Sequence, residues 1–414
     1  MRRRDLLIFL AATGLRVAFV WGQSRFAWFD IQFFAADSQL YTDLTESLVR
    51  GQGFTVHGRP TAFVTPGYPL FLAALYSVNL TSPLSVGLVQ SVLGGAMCVL
   101  LARIAGKVWG EGAALWAGLL GAVYPHFIFW TGYLLTETLF VFFVVASLLA
   151  LVWLPVRPSV FRAAGCGLLL GLAALVRPVI LGFALIVPFW LVWAVRTSLP
   201  RRLLLAAVAV CAVAIPLAPW AFRNAVVLAA PVFTSTESGG IFYQGNSPGA
   251  TGGSRGYVDA LDYTPLAVPP GLSEVEANRY HWRRALEFLA GHPGAIPRLF
   301  VQKLVNMWRP TYTGASWRNV VILGGSYLFL MVFGLIGIVR GLRDRLRSPS
   351  IFVLLLFIVT FVVQHGLVTG MIRFRLPVEA AIVVFAALGL DACVSYTRGL
   401  FRQRYLSSAP TSLS

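Results

Sequence analysis

Charge is what this sequence has least of. Only 12% of its 414 residues are Asp, Glu, Lys or Arg, against about a quarter in a soluble domain, and just 16 are acids. With 57% of the residues hydrophobic, a soluble enzyme and a disordered chain are both excluded. Cysteine is scarce too. Cys98, Cys166, Cys211 and Cys393 lie in or beside apolar runs without metal-ligand spacing, so they read as small core residues and say nothing about redox compartment. His57, His126, His281, His292 and His365 show no ligand pattern either, and no metal signature exists. The net charge of +17 would suggest nucleic acid in a soluble domain, but the cations cluster where hydropathy places one side of a membrane.

What the chain does have is apolar runs close to the ~20 residues a helix needs to span hydrocarbon. The first, 6–23, starts after Arg2, Arg3 and Arg4, which hold it in the cytoplasm as a signal anchor. The segment 66–79 would rise only ~21 Å as a helix, so it is predicted to lie at the interface without crossing. The runs 84–102, 115–130 and 134–154 then alternate direction, with Arg103, Lys107, Arg157 and Arg162 on the inside. Residues 165–195 are broken at Arg177-Pro178 into two short helices. Runs 203–222, 320–339, 351–367 and 376–394 complete ten crossings, both termini cytoplasmic.

The expected fold is therefore an all-α polytopic membrane protein. Residues 1–222 form an N-terminal transmembrane module whose first outer loop, 24–83, carries surface helices. Residues 223–319 form a larger second outer segment, and 320–414 the last transmembrane helices and a cytoplasmic tail. Within the second segment Ser273 and Glu276 make a capping box for one amphipathic helix over 273–289. The glycine-rich stretch 245–253 lacks the Gly-Lys-Ser/Thr ending of a phosphate loop and reads as a tight outer loop near an acceptor entrance. Phe26, Trp28, Phe29, Phe33, Phe34, Trp308, Tyr312 and Trp317 read as a membrane belt.

Several charged residues stand out. Asp37, Tyr41, Leu44, Leu48 and Val49 recur at helical spacing, which puts Asp37 in the first turn of a surface helix, where the dipole alone would favour an acid. Glu46, nine residues on, need not share its face. Arg177 sits in an apolar run at a cost of ~2.5 to 3.5 kcal/mol on insertion scales unless it faces a cavity or a partner. Arg373 and Arg375 open the last helix at its outer end, where they suit phosphate oxygens or interfacial anchoring. Glu137, opening the fourth crossing, is either a dipole-complementing acid or a second acid of a site. Arg16 either meets an acid or faces a carrier groove.

The ordered set of Asp37 with Tyr41, Gly51-Gln52-Gly53-Phe54, Pro60-Thr61-Ala62 and the stretch 66–73 resembles the opening of bacterial family 39 glycosyltransferases. Later stretches resemble that family in the same order: 135–140, 171–178, 245–252, His292-Pro293 with Lys303 and Trp308, and 373–377. The resemblance implies the GT-C fold, shared with protein O-mannosyltransferases and lipid A aminoarabinose transferases. It implies an inverting glycosyltransferase, hexosyl or pentosyl, that takes sugar from a polyprenyl-phosphate carrier, such as undecaprenyl phosphate, at the outer face of a bacterial inner membrane. Asp37 matches the family's catalytic carboxylate and would be the general base. Many relatives have a second acid next to it, where this chain has Ser38. Arg177, Arg373 and Arg375 would hold the carrier phosphate, Glu137 would be the second acid, and Tyr41, Tyr68 and Asn246 would line the substrate site.

No cofactor is required by this reading; a divalent cation on Asp37 and another acid stays open. The partners are the lipid-linked donor, membrane lipids and a lipid, glycan or protein acceptor, without nucleic acid. A secondary transporter or flippase of a lipid-linked sugar is the alternative, though the chain lacks the repeated halves such transporters show, and a membrane scaffold is a third.

Overall fold

The computed structural model describes residues 2–26, 35–253, 268–311, 316–345 and 348–407. Asp30, Trp28, Phe29, Phe33, Phe34 and Tyr312 lie outside them. Helices occupy all ten of the expected apolar positions. They are α1 (Arg3–Phe26), α4 (Pro83–Trp109), α5 (Glu111–Val123) continued by α6 (Pro125–Phe129), α7 (Glu137–Trp153), α8 (Val160–Val176) and α9 (Ile180–Ala194). After them come α10 (Leu199–Val227), α14 (Trp317–Asn319) running into α15 (Gly325–Arg345), α16 (Pro349–Leu367) and α17 (Leu376–Ser407).

Six helices are long and apolar enough to cross a membrane, or seven if α5 and its continuation, bent by 51°, count as one span. Helices α7, α8 and α9, of 17, 17 and 15 residues, fall short of that length. The bundle closes through small residues. A Cβ on Gly337 would stand 1.8 Å from the Phe385 carbonyl, so α15 and α17 approach almost backbone to backbone.

Between α1 and α4 the chain folds into α2 (Ala35–Val49), a ribbon of β1 (Thr55–Val56) with β2 (Arg59–Pro60), and α3 (Gly67–Tyr76). Ten residues of α3 rise ~15 Å, in keeping with a segment that does not cross. Between α10 and α14 the chain holds α11 (Ser238–Gly245), α12 (Glu274–Gly291) and α13 (Ala295–Trp308). The capping box of Ser273 and Glu276 starts α12 as expected, but the segment has three helices among its described residues instead of one. Pro297 hid α13 from the sequence; it sits in the first turn, where the N–H it lacks would have had no intrahelical partner.

Arg16 also departs from expectation. It is fully buried and meets no acid among the described residues. Its guanidinium donates to the carbonyls of Ala12 (3.0 Å), Gly121 (2.9 Å) and Ala122 (3.3 Å). The last two are C-terminal carbonyls of α5 that the break before Pro125 leaves without helical partners.

Candidate active site

A cavity of about 390 Å³ opens among α2, the break between α8 and α9, the start of α11, the end of α16 and the turn ahead of α17. Asp37, Tyr41, Arg177, Glu237, His365 and Arg373 face it, with Phe140, Phe361 and Trp282 among its apolar walls.

Each functional side chain is placed by local rules. Asp37 lies in the first turn of α2. Arg177 caps α8 in an extended conformation (φ −146°, ψ 117°), as a residue before proline must, so its side chain leaves the helix axis at the break. Arg373 lies in a 3-10 turn just ahead of α17.

The charges alternate. Arg373 Nη1 is 2.7 Å from Asp37 Oδ2 and 4.0 Å from Glu137 Oε1. Glu137, almost wholly buried at the start of α7, accepts from Arg177 Nη2 at 2.6 Å, while Arg177 Nε donates to Thr136 Oγ1 at 2.7 Å. The ring of Phe374 lies 5.4 Å from the Arg373 guanidinium and 5.6 Å from that of Arg177, giving both cations an aromatic face. This acid–arginine–acid–arginine chain joins residues from α2, α7, the α8 break and the turn before α17.

Glu237, which the sequence reading missed, precedes α11. Its N–H bonds the Phe63 carbonyl (3.2 Å), and that of Thr236 bonds Ala62 (2.9 Å). Glu274 locks this junction by accepting from Thr61 Oγ1 (2.6 Å), the Ala62 N–H (2.9 Å) and the Thr236 hydroxyl. Arg223 reinforces it on the Thr61 and Phe54 carbonyls (2.7 and 2.8 Å). Burial pushes the Glu237 carboxyl up to about 7; Asp37 adds to that and Arg373 and Arg177 oppose it. Burial, then Asp37, likewise holds the Tyr41 phenol well above its usual value.

The remaining sequence candidates stand back from the cavity. Tyr68 packs edge-on beneath Tyr41, centroids 5.1 Å apart, and donates to Gln90 (3.2 Å). Asn246 ends α11, donates to the Phe242 and Leu367 carbonyls (2.9 and 3.0 Å) and accepts from Lys303 Nζ (2.6 Å). It thus holds the 367–368 wall from behind, and Lys303, also bonded to the Leu367 carbonyl (2.8 Å), is held by burial down to about 8. Arg375 does not reach the cavity at all. It is fully buried, pairs with Glu379 at 2.5 Å, donates to the Met307 and Arg309 carbonyls and lies over the Tyr327 ring. Glu46 pairs with Arg50 (2.7 Å) on the exposed side of α2, away from the site. Among the described residues no three His, Cys, Asp or Glu side chains converge as a metal would require.

No protein-family model and no curated protein matches the sequence. Solved structures do. Oligosaccharyltransferase AglB from Archaeoglobus fulgidus, in complex with an inhibitory peptide and a dolichol-phosphate, superposes with a TM-score of 0.55 at 16% identity, over 99% of this chain and 52% of that one. ArnT from Cupriavidus metallidurans, bound to undecaprenyl phosphate, gives 0.55 at 13% identity, over 97% of this chain and 66% of that one. Its apo form gives 0.53 at 14% identity, over 96% and 64%. The chain spans about half to two thirds of the length of these proteins. What the likeness shows is the fold: an all-α, multi-pass GT-C membrane architecture.

Proposed function

We propose that this protein is an inverting glycosyltransferase that moves a sugar from a polyprenyl-phosphate carrier to an acceptor hydroxyl at the outer face of a bacterial inner membrane. One observation carries the reading: Asp37, Arg373 and Arg177 converge on a single cavity that could hold a phosphate and a sugar, in a fold whose solved members include complexes with dolichol-phosphate and undecaprenyl phosphate. The cation clusters at Arg2–Arg4 and at Arg340 and Arg343 support a cytoplasmic location for both termini, with this cavity on the opposite face.

In the resting site the carboxylates of Asp37 and Glu137 keep the two guanidiniums aimed at the cavity. An arriving lipid phosphate competes for those donors, and Arg binds phosphate oxygens well because its N–H groups form a planar fork. As the phosphate takes up Arg373, the Arg373–Asp37 contact loosens and the carboxylate turns to the acceptor. The acceptor oxygen attacks the anomeric carbon from the face opposite the phosphate, and its proton passes to Asp37. The bond from that carbon to the phosphate oxygen breaks with its electron pair on the phosphate, whose second negative charge Arg373 and Arg177 stabilise. Glu137 holds Arg177 in place, and Arg375, buried against Glu379, anchors the start of α17.

The test is to incubate the purified full chain, in detergent and in vesicles, with radiolabelled polyprenyl-phosphate sugars. Label on water or an acceptor, with polyprenyl phosphate released, supports the enzyme. Label that crosses the vesicle bilayer still attached to its carrier, with no release in detergent, would instead make the protein a flippase.

A further inference from the structure

Glu237 differs from the other acids around the cavity. Asp37 meets Arg373 at 2.7 Å and Glu137 meets Arg177 at 2.6 Å. Among the described residues no cation stands within ion-pair distance of Glu237, although it lines the same cavity as both arginines. Its backbone is not adjustable, because the Glu274 junction fixes residues 236 and 237 onto 62 and 63. The groups that face the cavity with it are Asp37 and Tyr41 from α2, Arg177 at the end of α8, His365 from α16 and Arg373 ahead of α17, while Glu137 from α7 stands behind the two arginines. The His365 Nδ1 is held on the Thr369 carbonyl at 3.3 Å. Among the described residues, the three carboxylates of Asp37, Glu137 and Glu237 thus stand against the two guanidiniums of Arg177 and Arg373.

A phosphodiester brings one more negative charge into this confined space. If every acid stayed ionised, two surplus charges would share a cavity walled by Phe140, Phe361 and Trp282, where Coulomb repulsion is far stronger than in water. A proton removes one of them at the site where no arginine competes for the carboxylate.

We propose that Glu237 binds the lipid phosphate in its protonated form, donating its O–H to a phosphate oxygen, so that donor capture is coupled to uptake of one proton at this residue. The proposal rests on the glycosyltransferase reading above and adds a donor-binding residue to it. A carboxylic acid kept neutral by a poorly hydrated site becomes a hydrogen-bond donor, which a carboxylate cannot be. That burial already raises Glu237 to about 7 agrees with this. The sign follows: the protonated form binds the anion, so affinity is full at low pH and falls as pH rises through about 7.

The probe is the methyl diester of a short polyprenyl phosphate, whose single charge is constant across the range used, about pH 5.5 to 8.5. Binding to the solubilised full chain is measured by calorimetry in two buffers of different ionisation enthalpy, which counts protons. Wild-type affinity should fall roughly tenfold per pH unit above about 7, with close to one proton taken up per diester bound at the alkaline end. Glu237→Gln should bind with little pH dependence and take up none. Binding of the diester by the wild type without proton uptake, or an unchanged pH slope in Glu237→Gln, overturns the coupling and leaves the glycosyltransferase reading standing. Should the variant misfold, the wild-type proton count alone decides. No binding at any pH overturns both.

Discussion

Arg373 and Arg375 are two residues apart at the mouth of the same helix, and they occupy opposite environments. Arg373 faces the cavity and reaches Asp37 from α2 and Glu137 from α7. Arg375 points to the other side of the turn, is fully buried, and spends its donors on Glu379 and two backbone carbonyls. A 3-10 turn does this because, at three residues per turn, side chains two apart point about 120° away from each other. Identical chemistry in sequence therefore separates into a group that can meet a substrate and a group that can only hold the fold.

The largest effect is expected at Arg375. Arg375→Met leaves Glu379 buried without its partner, and breaking such a pair costs ~3 to 5 kcal/mol. The expected outcome is loss of folded protein, measured by thermal unfolding in detergent, while Arg373→Met stays near the parent midpoint. Equal midpoints for the two variants would erase the distinction.

It sharpens at the donor site. Arg373→Ala and Arg177→Ala each remove a charge-assisted contact worth ~1.5 to 3 kcal/mol, so polyprenyl-phosphate affinity of the folded protein should fall roughly 10- to 100-fold. Unchanged affinity in both would make these arginines structural, as Arg375 is.

The smallest effect belongs to the exposed acid on the same helix as Asp37. Glu46 pairs with Arg50 on a solvated face, and surface pairs of this kind contribute up to ~1 kcal/mol. Glu46→Gln should leave both transfer and unfolding within about twofold and ~0.5 kcal/mol of the parent.

Much of this arrangement was legible in the sequence, and the reasons are specific. Asp37 sat at a helix start within an ordered set of family-like motifs. Arg177-Pro178 interrupted an apolar run, so hydropathy marked both the break and its cation. Glu237 was not legible because nothing local distinguishes it from the other acids between α10 and α14. It matters only through bonds from Glu274 and Thr236 to residues near 62, more than 170 positions away. The opposed roles of Arg373 and Arg375 were hidden for a related reason. Hydropathy put both at the outer end of the last helix, but only packing decided that Glu379, Met307 and Tyr327 would close around one of them. Arg16 followed the same pattern, finding helix-end carbonyls where charge logic looked for an acid.

The account depends above all on Asp37 as the base. Its most direct test is single-turnover transfer from a labelled polyprenyl-phosphate sugar by Asp37→Asn, a change that keeps size and removes basicity, with donor affinity measured alongside. General-base catalysis is worth roughly 10²- to 10⁴-fold, so transfer should slow by that factor while the donor binds as tightly as before or more tightly, since Arg373 loses its competing carboxylate. Transfer near the parent rate would contradict the account.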